Sequence, residues 1–486
     1  MVREGEETSH ENHLAAHEHS RISLFVALLS CTSPVQTYEV KNKQTRMVVV
    51  KQQGLLSAGL TFDDPGAFRV KSLGELLRAL GVFQLCSFPL LVNNCGKLMT
   101  GTRTLLGRRG FSLLLRPTVY AQFVAGENER EISQSMGKMS LLGLRPMLAV
   151  PIEEDLGDSI GEKRYDDNME AMLECVRMSH SNAWSEDPMM QLKITALLSP
   201  ELCVKLTTLI TRQPYDLSLL VRAMDGEAIT LPGLEETEAA HFLCGLQRLN
   251  KIAEASVNKV RVLVDAEYTY MNPALTLVTM ALMKKFNKDG AWIWNTYQCY
   301  LKAAEAMSLL LEALNLSQAE GFCLGVKLVR GAYMDKERKL AEKEGRVDPI
   351  HPSWEETNKS YNSCLDVMLD AISQKPERNR IIVATHNEES VRRAAKRMEE
   401  LGIDKDGGSV CFGQLLGMCD HVSLTLANEG YPVYKSVPYG SVDDTLPYLV
   451  RRAQENRTVL QGIRKERDLL RQELRYRIRL GLRGGS

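Results

Sequence analysis

Residues 260–268 read VRVLVDAEY and residues 323–331 read CLGVKLVRG, two short apolar runs that each end on charged side chains. A continuous apolar run of this length fits a strand covered on both faces, as in a parallel sheet. Six more runs of the same kind accompany them: LRPMLAVP (144–151), MQLKITAL (190–197), AWIWNTYQ (291–298), NRIIVATHN (379–387), GSVCFGQL (408–415) and YPVYKSVPYG (431–440). Each of the first seven is followed by a stretch long enough for a helix, and the eighth precedes LPYLVRRAQENRTVL. Strands alternating with helices in this way predict a parallel α/β fold. Eight strands, with no G-x-G-x-x-G after the first, favour a closed (β/α)8 barrel over a doubly wound sheet. The barrel is expected over residues 143–462, with the helix after the eighth strand capping its mouth. The polar stretches 153–164 and 179–187 are expected as surface insertions around a helix.

Ahead of the barrel, Leu73, Leu76, Leu77 and Leu80 recur at three- and four-residue spacing, and no strand-like run competes over residues 66–142. That stretch is predicted to be helical. Residues 1–65 lack periodicity and end on Pro65-Gly66, so a poorly ordered extension is expected there. Behind the barrel, residues 463–486 are basic and place Leu470, Leu474 and Ile478 four residues apart. The pattern predicts a helix that either lies on an anionic membrane or packs on its own barrel.

Composition removes several classes of function. The formal net charge of −1 gives no global attraction to nucleic acid. The 11 cysteines include no C-x-x-C pair, which argues against zinc ribbons and dithiol redox motifs, and no metal site is expected. No apolar run reaches the roughly 20 residues a spanning helix needs; residues 82–92 come nearest. Glu4, Glu6, Glu7, Glu11 and Glu18 are unlike a transit peptide, so no targeting signal is read from this N-terminus.

Reactive groups in such a barrel gather at the C-terminal ends of the strands. Here those ends carry Lys193, Asp265, Glu267, Gln298, Lys327, Arg330, Thr385, His386, Asn387 and Gln414. Charges in strands buried on both faces incur a desolvation cost unless a partner or ligand offsets it. One such residue could belong to a structural salt bridge, but the whole ring points to a binding site. On the final helix, Tyr448, Arg451, Arg452 and Glu455 share one face at i, i+3, i+4 and i+7. Two adjacent guanidinium groups suit bidentate capture of a small carboxylic acid, whereas a solvated charged face is the alternative.

These blocks also carry a resemblance. LKITAL, LVDAE, NTYQCYLK, GVKLVRGAYMDKER, VATHNEES, FGQLLGMCDHVS, YPVYKSVPYG and PYLVRRAQEN resemble the successive signature blocks of the proline dehydrogenase family, in order over residues 110–460. YAQFVAGE (120–127) is similar to the family's helical region ahead of the barrel. The resemblance implies a non-covalent FAD across the barrel mouth, contacted by Gln298, Val329, Arg330, Gly331, Thr385 and His386, with a backbone contact from Ala266. Lys327 matches a position beside flavin N5 where bacterial members commonly carry Arg. Lys193, Arg451 and Arg452 match the carboxylate clamp, and Asp265 matches the acid that orients the second arginine. Asp265 and Lys327 are the expected catalytic residues, and the resemblance implies Leu415 and Tyr448 as apolar walls of the ring pocket.

Ser436 departs from the pattern, because proline-specific members typically have Tyr there. A serine opens volume and offers a donor and an acceptor to a ring hydroxyl. The expected reaction is therefore FAD-dependent oxidation of trans-4-hydroxy-L-proline, with electrons passed to ubiquinone, and oxidation of L-proline is the alternative. The blocks resemble the mitochondrial branch, which implies the matrix side of the inner membrane and a peripheral attachment to it. Two readings from other classes stay open at this point: a Schiff-base lyase using Lys193, and a non-catalytic membrane scaffold using the basic tail.

Overall fold

The computed structural model describes residues 60–152, 161–182, 184–212, 216–458 and 460–483. The expected extension therefore lies outside the described residues as far as position 59. Residues 60–65 belong to the fold, because Phe62 is fully buried in the core.

Eight parallel strands close on one another in chain order. They are β1 (Leu144–Ala149), β2 (Met189–Leu192), β3 (Arg261–Val264), β4 (Ile293–Gln298), β5 (Leu324–Val329), β6 (Asn379–Ala384), β7 (Val410–Leu415) and β8 (Val433–Pro438). Every expected run forms one of them. The closure is well formed: β1 and β8 stay paired from Leu144↔Val433 to Ala149↔Pro438.

Side chains alternate across a strand, so every second residue faces the barrel axis. At one level the inward positions form an apolar plug of Met147, Met189, Leu263, Trp294, Ile382, Cys411 and Tyr434. Gly325 completes this layer on β5 by lacking a side chain, since a Cβ there would come within 2.4 Å of the Trp294 ring. Two residues further along the strands, the same inward parity gives Gln191, Asp265, Thr296, Lys327 and Ser436. Two further on, it gives Lys193, Gln298, Val329, His386 and Leu415. The plug ends where the polar layer begins.

The segment 179–187 differs from expectation. Ser179 and Trp184 are buried. Asp187 closes the floor of the barrel: its Oδ1 accepts from Arg261 Nε at 2.7 Å and its carbonyl from Tyr434 Oη at 2.7 Å. A cationic residue at the start of β3 needs a nearby acid, and the polar stretch supplies it. Residues 153–160 lie outside the described residues.

Ahead of the barrel come α1 (Leu73–Cys86), α2 (Pro89–Asn93), α3 (Cys95–Leu115), which kinks at Gly107, and α4 (Glu129–Leu141), with shorter helical turns at Pro65–Val70, Arg116–Tyr120 and Ala121–Phe123. α1 begins with a full capping box in which Ser72 and Glu75 satisfy each other's backbone N–H groups. The YAQFVAGE block clips this region to the mouth. Tyr120 Oη donates to the Gly440 carbonyl (2.6 Å), Gln122 Nε2 to that of Gly417 (2.8 Å), and Ala125 N–H to that of Pro438 (3.0 Å). Within the barrel follow α5 (Glu162–Ser181), α6 (Pro200–Arg212), α7 (Leu217–Met224), α8 (Glu236–Ser256), α9 (Asn272–Phe286), α10 (Ala303–Glu320), α11 (Met334–Lys343) and α12 (Trp354–Gln374). Then come α13 (Glu388–Glu400), α14 (Asp420–Asn428), α15 (Leu446–Thr458) and α16 (Leu460–Arg483).

α15 caps the mouth, as expected. Its Tyr448 and Leu449 share a buried cluster with Val82, Phe111, Phe123 and Met418, so the N-terminal helices and α15 form one lid. The basic tail forms α16, which packs on α1 and on the turn 65–70. Leu469 and Leu470 are buried, and Glu466 accepts from the N–H groups of Cys419 and Asp420, both at 2.8 Å. Leu474 is half-buried and Ile478 exposed, so only the far end of the expected stripe faces solvent.

Candidate active site

The polar layer above the plug is a connected chain of hydrogen bonds. Lys327, from β5, donates its ammonium to Asp265 Oδ1 at 2.6 Å, just past the end of β3, and to Gln191 Oε1 on β2 at 3.3 Å. Gln191 Nε2 in turn donates to Ser436 Oγ on β8 at 2.5 Å. Lys327 is 9% exposed and Ser436 9% exposed, so the chain is largely desolvated. Asp265, expected to orient the second arginine, is found paired with Lys327, and both are joined to the expected selector residue through a glutamine that sequence reasoning did not assign. The signal was present, because Gln191 interrupts an apolar strand in the same way as Lys193.

Beside this chain, Glu267 is buried, and burial pushes its carboxyl up while the Lys193 cation opposes the shift. Thr195 Oγ1 donates to both Glu267 oxygens, at 2.9 and 2.8 Å. Lys193 therefore stands at the end of β2 with an acid across from it on the β3 side. Ala266 lies between Asp265 and Glu267 and is buried.

Gln298 ends β4. Its Nε2 donates to the Glu267 carbonyl (3.0 Å) and to Tyr300 Oη (3.2 Å), whereas its Oε1 is buried without a hydrogen-bond partner among the described residues. A buried acceptor left open costs free energy unless a ligand satisfies it. Gly331 lies against Tyr300: a Cβ there would fall 1.9 Å from the ring, so only glycine fits.

Arg330 and Thr385 have the opposite strand parity and reach outward. Arg330 Nε donates to Thr385 Oγ1 at 3.0 Å, its terminal nitrogens donate to Asn358 Oδ1 and Ser390 Oγ, and the guanidinium lies 4.4 Å over the Tyr361 ring. Asn358, Ser390 and Tyr361 were not legible as partners, since α12 and α13 carry them far away in sequence. Val329 ends β5 and pairs across to Gln298.

His386 extends the inward parity of β6. Its Nε2 accepts from the Leu415 N–H at 3.2 Å, which leaves Nδ1 as the protonated nitrogen. Burial first, then the Lys435 and Arg452 cations, push its imidazole down to about 3. It is a neutral donor, not a cation. The same contact sets Leu415, the expected apolar wall. On α15, Arg452 is 4% exposed and lies 4.9 Å over the Tyr448 ring, while Arg451 is half-buried beside it. The Glu455 side chain lies outside the described residues.

Comparison with known proteins bears on the fold and the family. The family model described as proline dehydrogenase matches residues 134–465. The hydroxyproline dehydrogenase of Xenopus laevis is 56% identical over 425 residues, covering 86% of this chain and 90% of its own. The human hydroxyproline dehydrogenase is 46% identical over 458 residues, covering 90% and 99%. Human mitochondrial proline dehydrogenase 1 is 31% identical over 538 residues, covering 85% and 89%. Among solved structures, proline utilization A from Bdellovibrio bacteriovorus matches with a TM-score of 0.59 at 20% identity, over 82% of this chain and 38% of that one. That likeness shows the (β/α)8 fold. The chain belongs to the proline dehydrogenase family.

The state of His386 leads to a test on folding. The unfolded imidazole takes a proton below its ordinary 6.5, whereas the folded one resists until about 3. Unfolding therefore takes up as much as one extra proton in that window, and stability falls as pH drops through it. His386→Gln removes this term. The stability difference between parent and variant, read from urea midpoints, is expected to shrink steadily from pH 7 to pH 4. A difference independent of pH would mean that the imidazole is not held neutral.

Proposed function

We propose that this chain oxidises trans-4-hydroxy-L-proline to 1-pyrroline-3-hydroxy-5-carboxylate, using non-covalent FAD and passing electrons to ubiquinone. The single observation that supports the substrate most is Ser436 in the inward layer, where it offers a hydroxyl instead of a bulky phenol. Relatives named hydroxyproline dehydrogenase, at 46% and 56% identity over most of the chain, support the same reading. Family membership favours oxidation over the lyase and scaffold alternatives.

The residues present fit a flavin. Gln298 Oε1 is a buried acceptor open to a ring N–H, and Gly331 keeps the β5 loop free of a side chain. Gln298, Val329, Gly331, Thr385, His386 and the backbone of Ala266 would hold the cofactor, with Arg330 fixing Thr385 and Lys327 adding a cation. When bound, FAD supplies the acceptor for a hydride from the ring carbon next to nitrogen. Lys193, Arg451 and Arg452 would clamp the substrate carboxylate, and Leu415 and Tyr448 would wall the ring, so catalysis comes chiefly from orientation. The amine must shed a proton to leave a C=N bond. A histidine held down to about 3 is too weak a base for that step, so the proton goes to solvent.

A quinone acceptor implies contact with a bilayer, and the supporting surface is the α2–α3 hairpin together with the adjoining arginines of α16. Between Glu75 and Glu127 there is no acidic residue, against Arg78, Lys97, Arg103, Arg108, Arg109 and Arg116. Leu90, Leu105 and Leu113 are 79%, 84% and 75% exposed. A cavity of roughly 350 Å³ near the hairpin is lined by Arg464, Arg467 and Arg471 of α16 together with Gln84 and Ser87. Exposed leucines flanked by cations suit the interface of an anionic membrane. Among the described residues no helix is long and apolar enough to cross one. The name of the mitochondrial human relative supports a mitochondrial location, and the matrix side of the inner membrane is the proposed site within it.

Two measurements test these proposals. Ser436→Tyr is expected to lower the ratio of hydroxyproline to proline efficiency by roughly two to four decades, through overpacking and a lost polar partner. If the parent already prefers proline, or the ratio moves less than about threefold, Ser436 does not select the substrate. Separately, Leu105→Glu combined with Leu113→Glu should abolish co-sedimentation with vesicles rich in anionic phospholipid while the protein stays folded. Equal sedimentation of parent and variant would remove the hairpin from the membrane contact.

A further inference from the structure

The chain from Lys327 to Ser436 has a direction, and the direction is set by chemistry. An ammonium can only donate. Lys327 Nζ lies 3.3 Å from one end of the Gln191 amide and 2.6 Å from Asp265, so that end of the amide must be the carbonyl oxygen. The amide nitrogen is thereby turned to Ser436, whose Oγ is 2.5 Å away and must accept. Ser436 Oγ spends a lone pair on this bond and keeps its own hydrogen. That hydrogen has no acceptor among the described residues, although Ser436 is 9% exposed.

We infer that Gln191 is a positioning residue for substrate selection: it turns the Ser436 hydroxyl into a donor aimed at the ring hydroxyl of the substrate. The inference rests on the hydroxyproline reading and adds the residue that enforces it. Without Gln191, the Ser436 side chain can rotate and present either its proton or its lone pairs, so part of its discrimination is lost to conformational freedom. The cation that starts the chain is the same Lys327 placed beside the cofactor, so selection and chemistry share one buried anchor. Gln191 reaches the substrate only through Ser436, and its effect must vanish when Ser436 has no hydroxyl.

A double-mutant cycle tests this on the full-length flavoprotein, with kcat and KM measured separately for hydroxyproline and proline. Gln191→Leu keeps the volume and removes both hydrogen bonds, and Gln191→Met serves if the leucine variant does not fold. The expected result is a fall of roughly five- to tenfold in the ratio of hydroxyproline to proline efficiency, from loss of one well-aligned hydrogen bond. The fall should appear mainly in the KM for hydroxyproline. In a Ser436→Ala background the same substitution should leave the ratio unchanged. Any loosening of Lys327 acts on both substrates and cancels in the ratio. A shift below twofold in the parent background, or an equal shift in both backgrounds, overturns the role of Gln191 while leaving Ser436 as selector. A parent enzyme inactive on hydroxyproline overturns the substrate reading itself.

Discussion

A lysine that is 9% exposed inside a barrel is the constraint around which this molecule is arranged. Isolated, such a charge would cost several kcal/mol. Asp265 offsets that cost at 2.6 Å, and the second contact with Gln191 fixes the orientation of an amide that reaches Ser436. The ion pair bridges β3 and β5, and the glutamine extends it to β2 and β8. Four strands therefore contribute to one polar layer directly above the apolar plug. Replacing one partner would leave the other buried and uncompensated, which is why the layer acts as a unit.

The lid depends on a second buried charge cluster. Asp420 accepts from Lys435 of β8 and from Lys71 ahead of α1, both at 2.7 Å, and these cations hold its carboxyl well below the usual range despite burial. Glu466 of α16 holds the neighbouring backbone N–H groups, including that of Cys419, whose φ of 57° is unusual for a side-chain-bearing residue. The segment that follows Leu415 is thus fixed from β8, from the N-terminal region and from the final helix. Sequence-distant elements converge beside Leu415.

Much of the fold was legible because strand runs followed by helices gave eight strands, whose ends carry Lys193, Asp265, Gln298, Lys327 and His386. Leu415 and Ser436 entered only through the family resemblance. What sequence could not supply was the identity of neighbours across strands. Gln191 is adjacent to Lys327 only because the barrel closes, and nothing in the spacing of residues 191 and 327 shows it. The same holds for Asn358 and Ser390, which hold Arg330, and for Asp187, read as loop surface although it seals the floor. The basic tail was ambiguous for a related reason: a stripe of leucines shows that something covers it, not that α1 does.

An anaerobic titration of the purified protein, followed by visible absorbance, tests the proposed chemistry at its centre. Hydroxyproline added in steps is expected to bleach flavin bands completely, and at a lower concentration than proline requires. A protein purified without flavin bands after supply of FAD, or one bleached by proline and not by hydroxyproline, would contradict the proposal.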